Sequence, residues 1–318
     1  MVEIARRRAV FTCPDGNESG WGLQHVAPNA ELCSMNLMIL EMIKNLRGFR
    51  HYIHVATDDI NKVNEQVIQN WQMYGDVTYG KIEDLAGSDL SIFYYMDGRY
   101  CHNSRVLYYD YNTLSVRRYN RILKSDPLFP AVNTRQFRRI KDKKEGPFTV
   151  ALVSSFYEGR QPEWILDPLL SILKDTDRLV ITYKDGGYDK KLLRRKNIWQ
   201  VPCIIDATQK AFSLSDVIIY AHNKDYKTPL GRLFVEACAS RIPVICHKSG
   251  YPATIDKPIA LFFENEKELN EGICKLRNDP DFGEQLGANA HLWASSHDIS
   301  IEIGTWKRLI KNVLTGYY

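Results

Sequence analysis

The stretch from Val217 to His247, VIIYAHNKDYKTPLGRLFVEACASRIPVICH, decides the fold of this chain. It opens on an apolar run (Val217 to Tyr220), crosses a polar loop, and continues into helix-forming residues that carry Arg232 and Glu236. After Pro243 a second apolar run appears. A strand, loop, helix and strand in that order put the helix N-terminus, with its unpaired N–H groups, at the carboxyl end of a parallel sheet, where anions and nucleotides bind. Gly231 lets the backbone come close to a phosphate. Glu236 lies one turn into the helix, placed for a pair of ribose hydroxyls. Any α/β domain contains a unit of this kind, so the rest of the chain has to decide whether it is a nucleotide site.

The chain has 318 residues, enough for two domains of ordinary size, each with its own core. Hydrophobic residues make up 44% and charged residues 25%, which argues against general disorder. No apolar run approaches the roughly 20 residues of a membrane-spanning helix. The N-terminal MVEIARRRAV is succeeded by too short an apolar run to be a signal peptide, so a cytoplasmic protein is expected. The seven cysteines are scattered and odd in number, without C-x-x-C spacing, and the eight histidines show no H-x-x-x-H pair. Reduced thiols are therefore expected, and no metal ligands are assigned. The net charge is only +4, but Arg105 to Lys144 holds eleven Lys and Arg against Asp110, Asp126 and Asp142. That local excess carries more information than the total.

Alternating apolar strands and amphipathic helices predict parallel, doubly wound sheets. A strand at Arg8 to Cys13 leads into a polar, Gly-rich loop. A helix runs next from about Pro28 to Leu46, with Glu31 in its first turn, where a carboxylate ordinarily does no more than face the helix dipole. The strand Arg105 to Tyr109 ends in Asp110, which reads either as a general base at a strand's carboxyl tip or as the cap of the turn DYN. Beyond it lie Arg117, Arg118, Arg121, Lys124 and Arg135, interleaved with aromatics. Such a segment neutralises phosphates and stacks on bases, or is simply a solvated face. The basic run over 138–147 reads as an interdomain linker. A second alternating series starts at Phe148 with FTVALVSS, and a last helix runs from Ser300 to Val313.

Four pieces then coincide with one family: PNAELCSMNLMILEM (Pro28 to Met42), RVLYYD (Arg105 to Asp110), SSFYEGRQ (Ser154 to Gln161) and NKDYKTPLGRLFVEACAS (Asn223 to Ser240). In this order the chain resembles the DNA β-glucosyltransferases of T-even phages, which have the two-domain glycosyltransferase B (GT-B) fold. The resemblance implies two Rossmann-like α/β domains facing a cleft. Residues 1–144 would bind the acceptor DNA, residues 145–299 the nucleotide sugar, and a helix in 300–318 would pack back on the first domain. It implies an inverting transfer of a sugar, glucose first, from a UDP-sugar to the hydroxyl of a 5-hydroxymethylcytosine-type base in double-stranded phage DNA. Carried over by position, Asp110 is the catalytic base and Glu31 the acid near the transferred sugar. Ser155, Arg160, Lys224, Gly231, Arg232 and Glu236 form the donor site, and Arg117, Arg118, Arg121, Lys124 and Arg135 the DNA contacts.

Departures from the pattern are informative. Tyr157 and Gln161 stand where the family has two arginines, which leaves Arg160 as the diphosphate ligand. Thr228 occupies the position of a second acid in related retaining enzymes, which counts against retention. A divalent cation is allowed for, without a dedicated protein site. The setting implied is the cytoplasm of a phage-infected bacterium, and a monomer is expected. Two alternatives stay open: a GT-B enzyme acting on a polysaccharide or glycolipid, and a non-catalytic nucleic-acid-binding protein on the same fold.

Overall fold

The structure, a computed structural model, describes residues 8–14, 42, 45–46, 50–56, 76–79, 90–93, 106–110, 115–118, 121–122, 132–137, 146–153, 163–183, 197–202, 207–221, 231–248 and 258–314. The chain divides into two compact units, Met1–Ala131 with Ile299–Tyr318, and Val132–Asp298.

The first unit holds a seven-stranded sheet. Its strands are β1 (Arg8–Pro14), β2 (Arg50–Ala56), β3 (Asp76–Tyr79), β4 (Leu90–Phe93), β5 (Val106–Asp110), β6 (Ser115–Arg118) and β7 (Arg121–Ile122), in the order β3-β2-β1-β4-β5-β6-β7. The pairings from β3 to β5 are parallel. β6 and β7 extend this sheet antiparallel, with Asp110 opposite Ser115 and Arg118 opposite Arg121. The basic segment after Asp110 thus begins as an edge hairpin, which the expectation of a purely parallel sheet did not include.

The second unit holds six parallel strands: β8 (Thr149–Leu152), β9 (Arg178–Tyr183), β10 (Ile198–Pro202), β11 (Val217–Tyr220), β12 (Val244–His247) and β13 (Leu261–Phe263). Their order is β10-β9-β8-β11-β12-β13. Every residue of β8 and β11 is buried, and apart from the hydroxyls of Thr149 and Tyr220 both strands are apolar, as in a sheet covered on both faces. The helices of this unit are α1 (Glu163–Ile172), α2 (Ala207–Ser213), α3 (Arg232–Ala239), α4 (Glu266–Asn278) and α5 (Pro280–Ser295). Leu152, Ile165, Leu169, Ile219, Ile245 and Ile273, from strands and helices alike, share one core. α6 (Ile299–Leu314) clusters with the first unit.

Carboxylates fix the joints between these elements, Asp177 and Asp298 buried and Asp216 half-buried. The Asp216 carboxylate accepts from the Thr149 amide at 2.8 Å, tying the amino ends of β8 and β11. Asp177 accepts from the Lys174 amide at 2.8 Å and pairs with Arg277 of α4. Asp298 accepts from the amide and hydroxyl of Thr134 at 2.9 and 2.7 Å, and Phe137 lies 6.5 Å from Phe212 between ring centres. Residues 132–137 are therefore held on the second unit. α4 ends and α5 begins at Asp279–Pro280, where Asp279 caps the Phe282 amide at 2.9 Å and proline occupies the first turn, where its missing N–H costs nothing.

Candidate functional site

In the second sheet the strand order reverses between β8 and β11. β8 leads through α1 to β9 on one side, and β11 leads through α3 to β12 on the other. A doubly wound sheet opens a crevice beyond the carboxyl ends of the two strands at such a point, because the crossovers depart to opposite faces. Residues 154–161, with Ser155 and Arg160, leave the carboxyl end of β8. Residues 222–230, with Lys224, leave the carboxyl end of β11. Both segments, with Glu31 and Lys124, lie outside the described residues.

The helix after β11 begins at a glycine. Gly231 precedes α3 in an extended conformation and offers no side-chain cap, and α3 has no acidic residue in its first turn. Arg232, the first residue of the helix, is 5% exposed, and Glu236, one turn on, is 6% exposed. The Arg232 Nε donates to the Glu236 Oε1 at 2.5 Å. A guanidinium at a helix N-terminus adds to the positive end of the dipole, an unfavourable placement that an incoming anion would relieve. Burial pushes the Glu236 carboxyl above its ordinary pKa, while the charge of Arg232 and its hydrogen bond pull it back. A buried carboxylate of this kind retains acceptor capacity for hydroxyl groups beyond its single arginine bond.

One contact was not foreseen in the sequence. Tyr220, the last residue of β11, is 1% exposed, and its hydroxyl accepts from the Gly231 amide at 3.1 Å. Its ring meets Phe234 of α3 edge to face at 5.3 Å. The apolar character of the run Val217 to Tyr220 signals the strand, but nothing local signals where the phenol hydroxyl goes.

The remaining expected residues divide between the two units. Asp110 is the last residue of β5, and Arg117, Arg118 and Arg121 lie in the β6–β7 hairpin of the same sheet. Arg135 is exposed in the short 3-10 turn Thr134–Gln136, which belongs to the second unit. Among the described residues no group of three or more His, Cys, Asp or Glu is gathered to hold a metal ion, and no helix is long and apolar enough to cross a membrane.

No protein-family profile matches the chain, and no curated protein matches it. Solved structures do match. HepE of Anabaena, crystallised with UDP, superposes with a TM-score of 0.70 at 12% identity over 96% of this chain and 100% of its own. A glycosyltransferase of Rickettsia africae gives 0.66 at 12% identity, over 97% and 99%. Sucrose-phosphate synthase of Thermosynechococcus elongatus gives 0.64 at 12% identity, over 98% and 100%. The fold is GT-B. At this identity the likeness is one of fold, and it runs through both units of the chain. The GT-B architecture accounts for two doubly wound sheets in succession and for the strand reversal beside α3.

Proposed function

We propose that the chain is a glycosyltransferase that takes a sugar from a uridine diphosphate donor. The observation that carries this is the buried Arg232–Glu236 pair in the first turns of α3, beside the strand reversal of the second sheet. Glu236 would accept from the ribose hydroxyls. Arg232 and the first N–H groups of α3 would offset the diphosphate, joined by Ser155, Arg160 and Lys224 on the segments that leave β8 and β11. HepE having been crystallised with UDP-glucose supports a uridine donor in this fold.

In the transfer itself an acceptor hydroxyl oxygen bonds to the anomeric carbon as the bond from that carbon to the diphosphate oxygen breaks. UDP departs with the electron pair. A primary hydroxyl is a weak nucleophile at neutral pH, and Asp110 is the proposed base that receives its proton. Glu31 would stand near the sugar. The charge growing on the leaving diphosphate is stabilised by the cations and amides of the donor site, in the manner of an oxyanion hole. Attack opposite the leaving group inverts the anomeric centre, and Thr228, where a second acid would stand in a retaining enzyme, supports that outcome.

Two acceptor readings have support. A hydroxymethylated base in duplex DNA is favoured by the resemblance and by the arginine-bearing β6–β7 hairpin that continues from Asp110. A saccharide or glycolipid acceptor is favoured by the company of the fold, which includes a protein named for making sucrose phosphate. The test is transfer of radiolabel from UDP-glucose to hydroxymethylcytosine DNA, plain DNA, and a panel of saccharide and lipid-linked saccharide acceptors. Label confined to the modified DNA establishes the first reading, and label on a saccharide the second. No UDP binding and no transfer to any acceptor would leave the chain a binding protein on a GT-B fold.

A further inference from the structure

We infer that Tyr220 is a positioning residue for the donor site, its hydroxyl fixing the start of α3 against the end of β11. The inference rests on the reading that the first turn of α3 receives the donor diphosphate. β11 is otherwise aliphatic and wholly buried, so a fourth aliphatic residue would serve the core. A phenol there has to place its hydroxyl on a partner, because a buried hydroxyl without one is costly. Among the described residues the Gly231 amide is such a partner, 3.1 Å away and immediately before Arg232.

That bond ties the last residue of β11 to the residue before α3 through one side chain. Gly231 supplies no side-chain cap of its own, and its carbonyl accepts the first helical bond, from the Phe234 amide at 2.9 Å. The ring adds a second hold. It packs edge to face on Phe234 at 5.3 Å, and Phe234 packs in the same way on Trp293 of α5 at 5.9 Å. The phenol thus holds α3 at two points, through Gly231 and through Phe234. The N–H groups of the first turn and the Arg232–Glu236 pair inherit that placement. Binding energy directed at a diphosphate depends on such placement, since displacements of about 1 Å weaken catalysis by up to about a hundredfold.

The experiment compares wild type with Tyr220→Phe, which keeps the ring and removes the acceptor of the Gly231 amide. Thermal unfolding and titrations with uridine and with UDP are measured on both. The expected result is a folded variant with a modestly lower unfolding midpoint, as for one lost part-buried hydrogen bond, unchanged uridine affinity, and UDP affinity lower by about tenfold, within the roughly hundredfold that misplaced binding groups can cost. A general loosening of the domain would instead weaken uridine and UDP together, and that result overturns the positioning role. Equal UDP affinity in the two proteins overturns it as well. A variant that does not fold assigns the hydroxyl to stability and rejects the inference. Absence of UDP binding in wild type removes the donor reading itself, and the inference with it.

Discussion

At Glu236, burial and pairing act in opposite directions, and the balance has a measurable sign. Burial raises the carboxyl's pKa more than Arg232 lowers it, so the folded chain favours the neutral acid relative to the unfolded chain. The stabilising contribution of that proton is complete below the unfolded value of about 4.3 and is lost as pH rises through the higher folded value. Glu236→Gln cannot ionise and lacks this fall. The unfolding midpoint of wild type minus that of Glu236→Gln should therefore decline as pH rises from about 4.3 towards neutrality. Parallel melts across that range give the answer, and a constant difference would mean that pairing fully offsets burial. At about 3.6 residues per turn an i,i+4 pair shares a face, and the helix that carries Arg232 and Glu236 was legible in the sequence. Tyr220 was not, because its bond reaches a residue eleven positions on, across a loop whose path no local pattern encodes.

Among elements, those read well were the ones whose environment is simplest. β8 and β11 are near-continuous apolar runs buried on both sides, and their expected places agree with the observed ones to within a few residues at each end. The β6–β7 hairpin was hidden because its charged residues mask strand alternation and its pairing is made only at the sheet edge. The seven-residue α2 is too short to show a helical period. α5 carries a constraint of another kind. It lies so close to the turn between α3 and β12 that a Cβ on Gly287 would stand 3.0 Å from the Arg241 carbonyl carbon and closer still to its oxygen. Arg241 already sits at a positive φ of 62°, so that carbonyl has little freedom to give way. Gly287→Ala should therefore destabilise the protein by about 1 to 3 kcal/mol, the usual cost of overpacking against atoms that cannot rotate aside. A urea titration measures this as a lower midpoint at unchanged slope. An unchanged midpoint would mean that α5 shifts freely on the sheet.

For the molecule as a whole, the proposed labour is divided between the two units, with the donor groups Arg232 and Glu236 in one and Asp110 in the other. Variants in the two units should then fail in different ways. Asp110→Asn keeps the size and most of the hydrogen bonding of the side chain, so folding and UDP affinity should match wild type. Single-turnover transfer at saturating donor should fall by about 10² to 10⁴, the range for losing general-base assistance. Glu236→Ala should do the reverse at low donor concentration, weakening UDP by about 1.5 to 3 kcal/mol through loss of a charged acceptor. If Asp110 merely begins the turn into β6, opposite Ser115, asparagine serves there almost as well and transfer stays near wild type. A variant within about threefold of wild type has lost less than 1 kcal/mol of transition-state stabilisation, too little for a base. That result would remove Asp110 from the chemistry and the one-step inverting route with it, while leaving the proposed donor site of the second unit intact. An Asp110→Asn chain that loses UDP affinity as well would contradict the division itself.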